Sequence, residues 1–434
     1  MSARETIAAI ASTGAIAVVR ISGEDAIAIA SDVIGRSLPD REVVVARARS
    51  RDGAALDHVI AFAMRGPRSF TGEDVAELHG HGGAVNSARL LRAVLERGAR
   101  AAEPGEFTRR AFEHGRIDLT RAEAIASVIG AGSERAWRQA QDQLAGALGG
   151  RMQSLRSLAV AVLAEIEGAI DFPEEGLAFA ATAALGARCR ALAVSCEALA
   201  ATYRAGRAVR DGVVVALAGP VNAGKSSLFN AILGKERSIV SPAPGTTRDY
   251  VEARCEWNGV AVTLVDTAGQ RESSDLVERR GIELAAERVA TADVVVWVSE
   301  DAATDAGASS FGGRAVLVRS KADLGALVAP GAIATSVHDG RGLEALRAAV
   351  LANAGVDDAD GGAGVVVAHE RQRDAIARAA GAFAAAADGI DGARPLEAAA
   401  VDVREGAHAL GEVLGEELDE DVLDALFARF CIGK

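Results

Sequence analysis

The chain has 434 residues, half of them hydrophobic, a net charge of −13 and four scattered cysteines, Cys189, Cys196, Cys255 and Cys431. That length and hydrophobic content exclude a disordered chain and admit several folded domains. The acidic balance argues against a nucleic-acid face spread over the whole surface. The absence of a C-x-x-C pair points to a reducing compartment rather than a disulfide framework.

Residues 1–118 read as a small α+β domain. Apolar runs at 6–10 and 15–21 are expected strands, separated by Ser12-Thr13-Gly14, and 24–35 an amphipathic helix. Two β-rich runs follow at 42–47 and 57–64, then an amphipathic helix at 84–97 closed by Gly98, and a turn at 103–108 that starts another helix. Between them lies a stretch of carboxylates, histidines and glycines, residues 69–83. Glu77, His79 and His81 share one face of a strand there. Without a third clustered ligand, the two histidines favour core hydrogen bonding over a metal. A carboxylate held at Glu77 has the lone pairs to accept a pair of N–H groups from a heterocyclic ligand.

Residues 119–210 are an almost unbroken helical pattern, interrupted at Asp171-Phe172-Pro173, with a second helix expected over 183–210. A short apolar run, 213–218, then leads into Gly219-Pro220-Val221-Asn222-Ala223-Gly224-Lys225-Ser226, which fits G-x-x-x-x-G-K-[ST] and opens a helical pattern ending at Gly234. Strand, glycine loop and helix in that order form a phosphate cradle. Backbone N–H groups turn inward, the helix N-terminus adds positive potential, Lys225 reaches the β- and γ-phosphates and the Ser226 hydroxyl ligates Mg²⁺. Ala223, Gly224 and Ser227 complete the nucleotide contacts expected of this segment.

The loop Ser241-Pro242-Ala243-Pro244-Gly245-Thr246-Thr247-Arg248-Asp249 has the composition of a shape-changing switch segment, in which a threonine ligates Mg²⁺ and senses the γ-phosphate. Asn258-Gly259 between alternating apolar runs predicts a hairpin. Its second strand ends in Asp266-Thr267-Ala268-Gly269, where the Asp266 carboxylate faces Mg²⁺ and the Gly269 N–H faces the γ-phosphate. Strands at 293–298 and 314–318 follow. Ser320-Lys321-Ala322-Asp323 ends the second, and Asp323 can accept both N1–H and the 2-amino group of guanine, a donor pair adenine lacks. A strand at 333–337, with Ser336-Val337-His338 counted among the nucleotide contacts, and a helix at 342–351 complete a mostly parallel sheet. Residues 355–363 read as a linker. Helices resume near 365, and the chain closes on Phe430-Cys431-Ile432-Gly433-Lys434.

Taken together, these four nucleotide motifs resemble the TrmE-Era-EngA-like GTPases, whose phosphate loop carries an Asn. Ser69-Phe70-Thr71-Gly72-Glu73-Asp74, Gly80-His81-Gly82-Gly83, Pro104-Gly105-Glu106-Phe107, Ile170-Asp171-Phe172-Pro173 and the Cys-Ile-Gly-Lys terminus narrow the resemblance to the MnmE (TrmE) family of tRNA modification GTPases, over nearly the whole chain. It implies a multidomain α/β protein: an N-terminal α+β tetrahydrofolate-binding and dimerisation domain at 1–118, an all-helical domain at 119–210 plus 355–434, and an inserted Ras-like G domain at 211–354.

It further implies a cytoplasmic homodimer, with no membrane association, that hydrolyses GTP with Mg²⁺ and K⁺. With the FAD-dependent partner MnmG, in a heterotetramer, the family modifies C5 of the wobble uridine U34 in certain tRNAs, drawing a one-carbon unit from a 5-formyl or 5,10-methylene tetrahydrofolate. Carried over residue by residue, Asn222, Ser241, Ala243 and Thr246 match K⁺ ligands, and Ser226 and Thr247 match Mg²⁺ ligands. Glu278 matches the Glu that orients the attacking water. Arg20, Glu77, Arg116 and Lys434 match folate-site positions, and Cys431 matches a Cys proposed to work beside that site. Three departures stand out: a shortened loop after Thr13, Pro220-Val221 in reversed order, and Ser320 in place of the Asn that normally tethers the phosphate loop. The G domain alone is also compatible with a GTP-switch ribosome-assembly factor of the Era/EngA type. The folate-like N-terminal segment and Cys431 weigh against that reading.

Overall fold

The computed structural model describes residues 5–171, 182–234, 251–266, 289–325, 331–356 and 364–433. The expected sites at Ser241, Pro242, Ala243, Pro244, Gly245, Thr246, Thr247, Thr267, Ala268, Gly269, Glu278 and Lys434 lie outside the described residues. The chain divides into two compact units, one gathering the chain up to Ala126 with the segment from Leu414 onward, the other spanning Ser127–Val413.

In the first unit, strands β1 (Ile7–Thr13), β2 (Ile16–Ser22), β3 (Val44–Arg49), β4 (Ala55–Met64), β5 (Val75–His81) and β6 (Arg100–Ala101) form a sheet of order β3-β4-β5-β2-β1-β6. All described pairings are antiparallel except β1 with β6. Helices α1 (Ala26–Ile34) and α2 (Ala84–Leu95) turn their apolar stripes onto it, and Ile29, Val33, Leu90 and Val94 join Val19, Ile21 and Leu78 in one core. Helix α3 (Glu106–Glu113) follows.

The C-terminal segment from Leu414 packs within this unit. Phe427 and Phe430 share a buried cluster with Leu119 and Ala122, and Ile432 forms a bridge with Pro104. Burying side chains of that size stabilises the docking of the segment by some 1.5–3 kcal/mol per side chain.

In the second unit, helices α5 (Glu134–Leu144), α6 (Ala147–Asp171), α7 (Thr182–Ala201) and α8 (Tyr203–Asp211) follow α4 (Leu119–Gly130), which begins in the first unit. The single helix expected over 183–210 is divided at Thr202. Its hydroxyl donates to the Leu199 carbonyl (2.6 Å) and accepts from the Val367 N–H (3.0 Å), drawing the chain out of the helical ladder. Cys189 and Cys196 are buried on α7, and burial pushes the Cys196 thiol up to about 11, so it acts as an apolar packing group.

The sheet here comprises β7 (Val213–Ala218), β8 (Val251–Trp257), β9 (Val260–Asp266), β10 (Val294–Ser299), β11 (Ala315–Arg319) and β12 (Ile333–Ala334), in the order β12-β11-β10-β7-β9-β8. Only β8 pairs antiparallel, through the predicted Asn258-Gly259 turn, where both residues have positive φ. Helices α9 (Lys225–Gly234) and α10 (Leu343–Asn353) cover it, with Trp257 1% exposed in the core. The last strand is shorter than the expected 333–337. Thr335 bonds back to the Arg319 carbonyl through its N–H and its hydroxyl, and Ser336 bonds to Arg341. Helices α11 (Glu370–Asp391), α12 (Leu396–Leu414) and α13 (Glu420–Phe427) close the chain, with α11 packed along α7.

At Gly82 the β1–β2 loop crosses so closely that the Gly82 N–H bonds the Ala15 carbonyl (2.9 Å), and any Cβ would overlap the Gly14 carbonyl oxygen. Gly82→Ala is expected to cost about 1–3 kcal/mol or more, because backbone rather than a flexible side chain must yield. A lowered urea midpoint at unchanged m-value checks this.

Candidate functional site

The carboxyl ends of β7, β9, β10 and β11 converge at one edge of the parallel sheet, the position where α/β sheets hold ligands. β7 delivers Gly219, whose φ of 137° and contact with the Val298 carbonyl leave no room for a Cβ. The loop turns through Asn222 (φ 62°) and enters α9, where the Leu228 N–H closes the first turn on Gly224 (2.9 Å). Asn222, Ser226 and Ser227 are exposed along it, while Ala223 is buried.

Lys225 is a charged side chain of this loop committed inward. It is 7% exposed, and its ammonium donates to the carbonyls of Gly219 (2.9 Å) and Pro220 (2.7 Å). Burial pushes its pKa below the ordinary lysine value, and the opposing charge of Asp266, 8% exposed at the end of β9, limits the fall. A desolvated ammonium resting on two neutral carbonyls gains strongly from anionic oxygens, so the donor set fits a polyphosphate.

The residues expected to recognise the base gather at the same edge. Ser320 is buried. Its N–H and hydroxyl both reach the Ser299 carbonyl (3.0 and 3.4 Å), and its Cβ stands 3.6 Å from where a Cβ of Gly224 would lie. The hydroxyl is thus directed at β10, and the phosphate loop touches Ser320 only by packing. Lys321 instead spans to the loop, bonding Glu300 and lying 3.5 Å from the Asn222 carbonyl. The Ala322 N–H bonds Thr335 (3.0 Å), which sets Asp323, exposed on the turn Ala322–Leu324, beside Ser336 and the exposed Val337 and His338.

The first unit holds a second cluster. Arg20 and Glu77 are register partners on β2 and β5, and the Arg20 Nε donates to Glu77 Oε1 at 2.8 Å. His79 Nε2 lies 2.8 Å from the other oxygen. Burial pushes the Glu77 carboxyl up, but the His79 and Arg20 bonds together outweigh it and hold the group below its ordinary value. Arg20 also reaches the Gly433 carbonyl (3.4 Å), and the Cys431 carbonyl accepts from the Gly105 N–H (3.4 Å), so exposed Cys431 is moored near the pair.

Arg116 is exposed and packs beside Gly72. The two histidines do not share a ligand: His81 bonds Asp57 (2.7 Å), and no metal-binding group occurs among the described residues. Sequence reasoning placed Glu77 and His79 on one face but missed their bond. It also missed the buried linkage of Ser22 to Thr71 and Glu73 (2.7 Å each), with Arg110 on both Glu73 oxygens (3.1 Å), which explains the Ser-Phe-Thr-Gly-Glu-Asp segment as a structural clasp.

A Lys-bearing glycine loop between a strand and a helix, at the carboxyl edge of a mostly parallel sheet with Asp266 opposite, defines a phosphate-loop nucleotide-binding protein. Comparison with known proteins narrows the class. The family profile for the GTP-binding protein TrmE N-terminus matches residues 6–116 and that for the MnmE helical domain matches residues 119–431. The tRNA modification GTPase MnmE of a Synechococcus species is 41% identical over 459 residues, covering 100% of both chains. That of Parvibaculum lavamentivorans is 42% identical over 444 residues, covering 99% of this chain and 100% of its own. Among solved structures, the G domain of the T. maritima FeoB iron transporter aligns with 33% of this chain and 98% of its own at 24% identity and a TM-score of 0.26. The chain belongs to the family of tRNA modification GTPases MnmE.

Three outcomes are expected. Ser320→Asn restores a tether to the phosphate loop worth about 1 kcal/mol, roughly a fivefold gain in GTP affinity by isothermal titration. The wild-type chain is expected to prefer GTP to ATP through Asp323, and equal binding of the two would remove that role. The folded Glu77 pKa lies below its unfolded value, so its contribution is complete above the reference 4.5 and lost as pH falls through the folded value. Glu77→Gln flattens the acid limb of stability against pH, read by urea unfolding across that range.

Proposed function

We propose that this chain is a K⁺-stimulated GTP hydrolase that, with a flavoprotein partner of the MnmG type carrying FAD, modifies C5 of the wobble uridine U34 in certain tRNAs. The added aminomethyl or carboxymethylaminomethyl group takes its one-carbon unit from a tetrahydrofolate. The observation that carries the reading is Lys225, buried and cradled by its own loop at the sheet edge where Asp266 and the Ser320–Asp323 turn also end. Its setting in a chain related end to end to tRNA modification GTPases supports the link to tRNA.

In this mechanism Lys225 exchanges the Gly219 and Pro220 carbonyls for β- and γ-phosphate oxygens as GTP enters. Asp323 selects guanine. Ser226 and Thr247 would hold Mg²⁺, which supplies charge neutralisation at the phosphates. Asn222, Ser241, Ala243 and Thr246 would hold K⁺, and Glu278 orients the attacking water. In the first unit, the Arg20–Glu77 pair fits a polar heterocycle such as a folate. A carboxylate offers about four lone-pair positions, and Arg20 and His79 account for two described bonds. Arg116 and Lys434 would add positive charge for the carboxylates of such a ligand, and Cys431 stands at its margin. The working assembly is a cytoplasmic homodimer joined to the flavoprotein in a heterotetramer.

GTP turnover by the purified chain is expected to be several-fold faster in KCl than in NaCl at equal ionic strength. Equal rates would remove the roles given to Asn222 and Ser241. Nucleoside analysis of tRNA from cells lacking the chain is expected to show wobble uridines without the C5 group, and unchanged nucleosides would defeat the proposal.

A further inference from the structure

A second concave site lies in the larger unit, away from the phosphate loop. It is a cavity of about 290 Å³ at the amino-terminal end of the parallel sheet, where α8 passes the start of β10 and the end of α10. That volume is at the lower limit of small-ligand sites. Three guanidinium groups line it: Arg204 and Arg207, one turn apart on α8, and Arg314 immediately before β11. One carboxylate, Asp293, lines it with them.

Each arginine is held by one nitrogen. Arg204 bonds the Asn353 carbonyl, Arg207 pairs with Asp293, and Arg314 Nη1 donates to the Ala290 and Ala292 carbonyls (2.9 Å each). Asp293 is itself bound by the Val214 N–H (2.9 Å). These bonds fix the three side chains, and of the three only Arg207 is neutralised, by Asp293. Neutral carbonyls satisfy two of the three, so among the described residues lining the cavity there is an excess of two positive charges. A guanidinium carries five N–H donors in a rigid fork that matches phosphate oxygens. Such a focus of positive charge is at odds with a chain of net charge −13, and the electrostatic footprint of nucleic-acid binding is a local patch of this kind.

We infer that Arg204, Arg207 and Arg314 form a phosphate-binding site that takes a backbone phosphate of the tRNA substrate. This rests on the reading of the chain as a tRNA modification GTPase and adds where tRNA is gripped. The bonds to Asn353, Ala290 and Ala292 preorder the forks, so little side-chain entropy is lost when a phosphate docks. Because the contact is to a phosphate, it fixes the position of the RNA and carries no sequence information.

The test uses the full-length chain with fluorescent tRNA, measuring Kd by anisotropy across a series of KCl concentrations. Arg204→Gln and Arg314→Gln are each expected to weaken binding by roughly three- to tenfold at low salt and to flatten the slope of log K against log salt by about 1. Thermal unfolding and GTP turnover without tRNA remain at wild-type values. Arg204→Lys keeps the charge and is expected to retain the slope while losing part of the affinity. Inorganic phosphate at constant ionic strength is expected to compete weakly with tRNA in the wild type and not in Arg314→Gln.

Wild-type affinity and slope in both Gln variants would overturn the inference, as would a loss reproduced in full by a drop in thermal stability and not rescued by Lys. Equal binding of tRNA with phosphate saturating the site would assign it to a free phosphorylated molecule and overturn the tRNA assignment. Failure here with wobble uridines still dependent on the chain in cells removes only this site. Wobble uridines unchanged in cells lacking the chain remove the underlying reading instead.

Discussion

The second unit is built around a buried positive charge that its own backbone holds in waiting. An ammonium at 7% exposure is costly unless partnered, and Lys225 is partnered by two loop carbonyls and by the charge of Asp266. That constraint fixes what surrounds it. The loop must curl tightly enough to aim two carbonyls at one nitrogen, which demands the closely packed Gly219 and the positive φ of Asn222. β9 must end opposite the loop, and it does so because β7 and β9 pair in parallel with Leu217 beside Asp266. The hairpin that carries β9 is in turn anchored away from the site, where its turn residue Gly259 accepts from the Arg135 N–H (3.1 Å) at the start of α5.

The first unit solves a similar problem with a carboxylate. Glu77 is central in the sheet and bracketed by Arg20 and His79, so it stays ionised despite burial. The C-terminal segment is drawn into this arrangement by the backbone N–H of Gly105, by the Arg20 guanidinium and by the Phe427–Phe430 cluster. A tail that pairs with the far end of the chain brings Cys431 to a place that no local pattern predicts.

How legible each part was follows from the range of the interactions involved. The strand-loop-helix of the phosphate site, the Asn258-Gly259 turn and the alternation of strands with helices depend on neighbours in sequence, and they are recoverable from spacing alone. The split at Thr202 is not, since it requires Val367, 165 residues away, to offer its N–H. The bond between Glu77 and His79 needs a rotamer choice within the sheet. The clasp of Ser22, Thr71, Glu73 and Arg110 spans three separate segments. The arginine cavity likewise joins α8 to residues more than eighty positions later, so its charge looks unremarkable along the chain and concentrated only in space.

The central claim is that the charge held at Lys225 is what drives the tRNA reaction. The most direct measurement is nucleoside analysis of tRNA from cells in which the chain is replaced by Lys225→Ala, with abundance and folding of the variant verified. The account predicts wobble uridines lacking the C5 group, as in cells without the chain. Fully modified wobble uridines in that strain would contradict it.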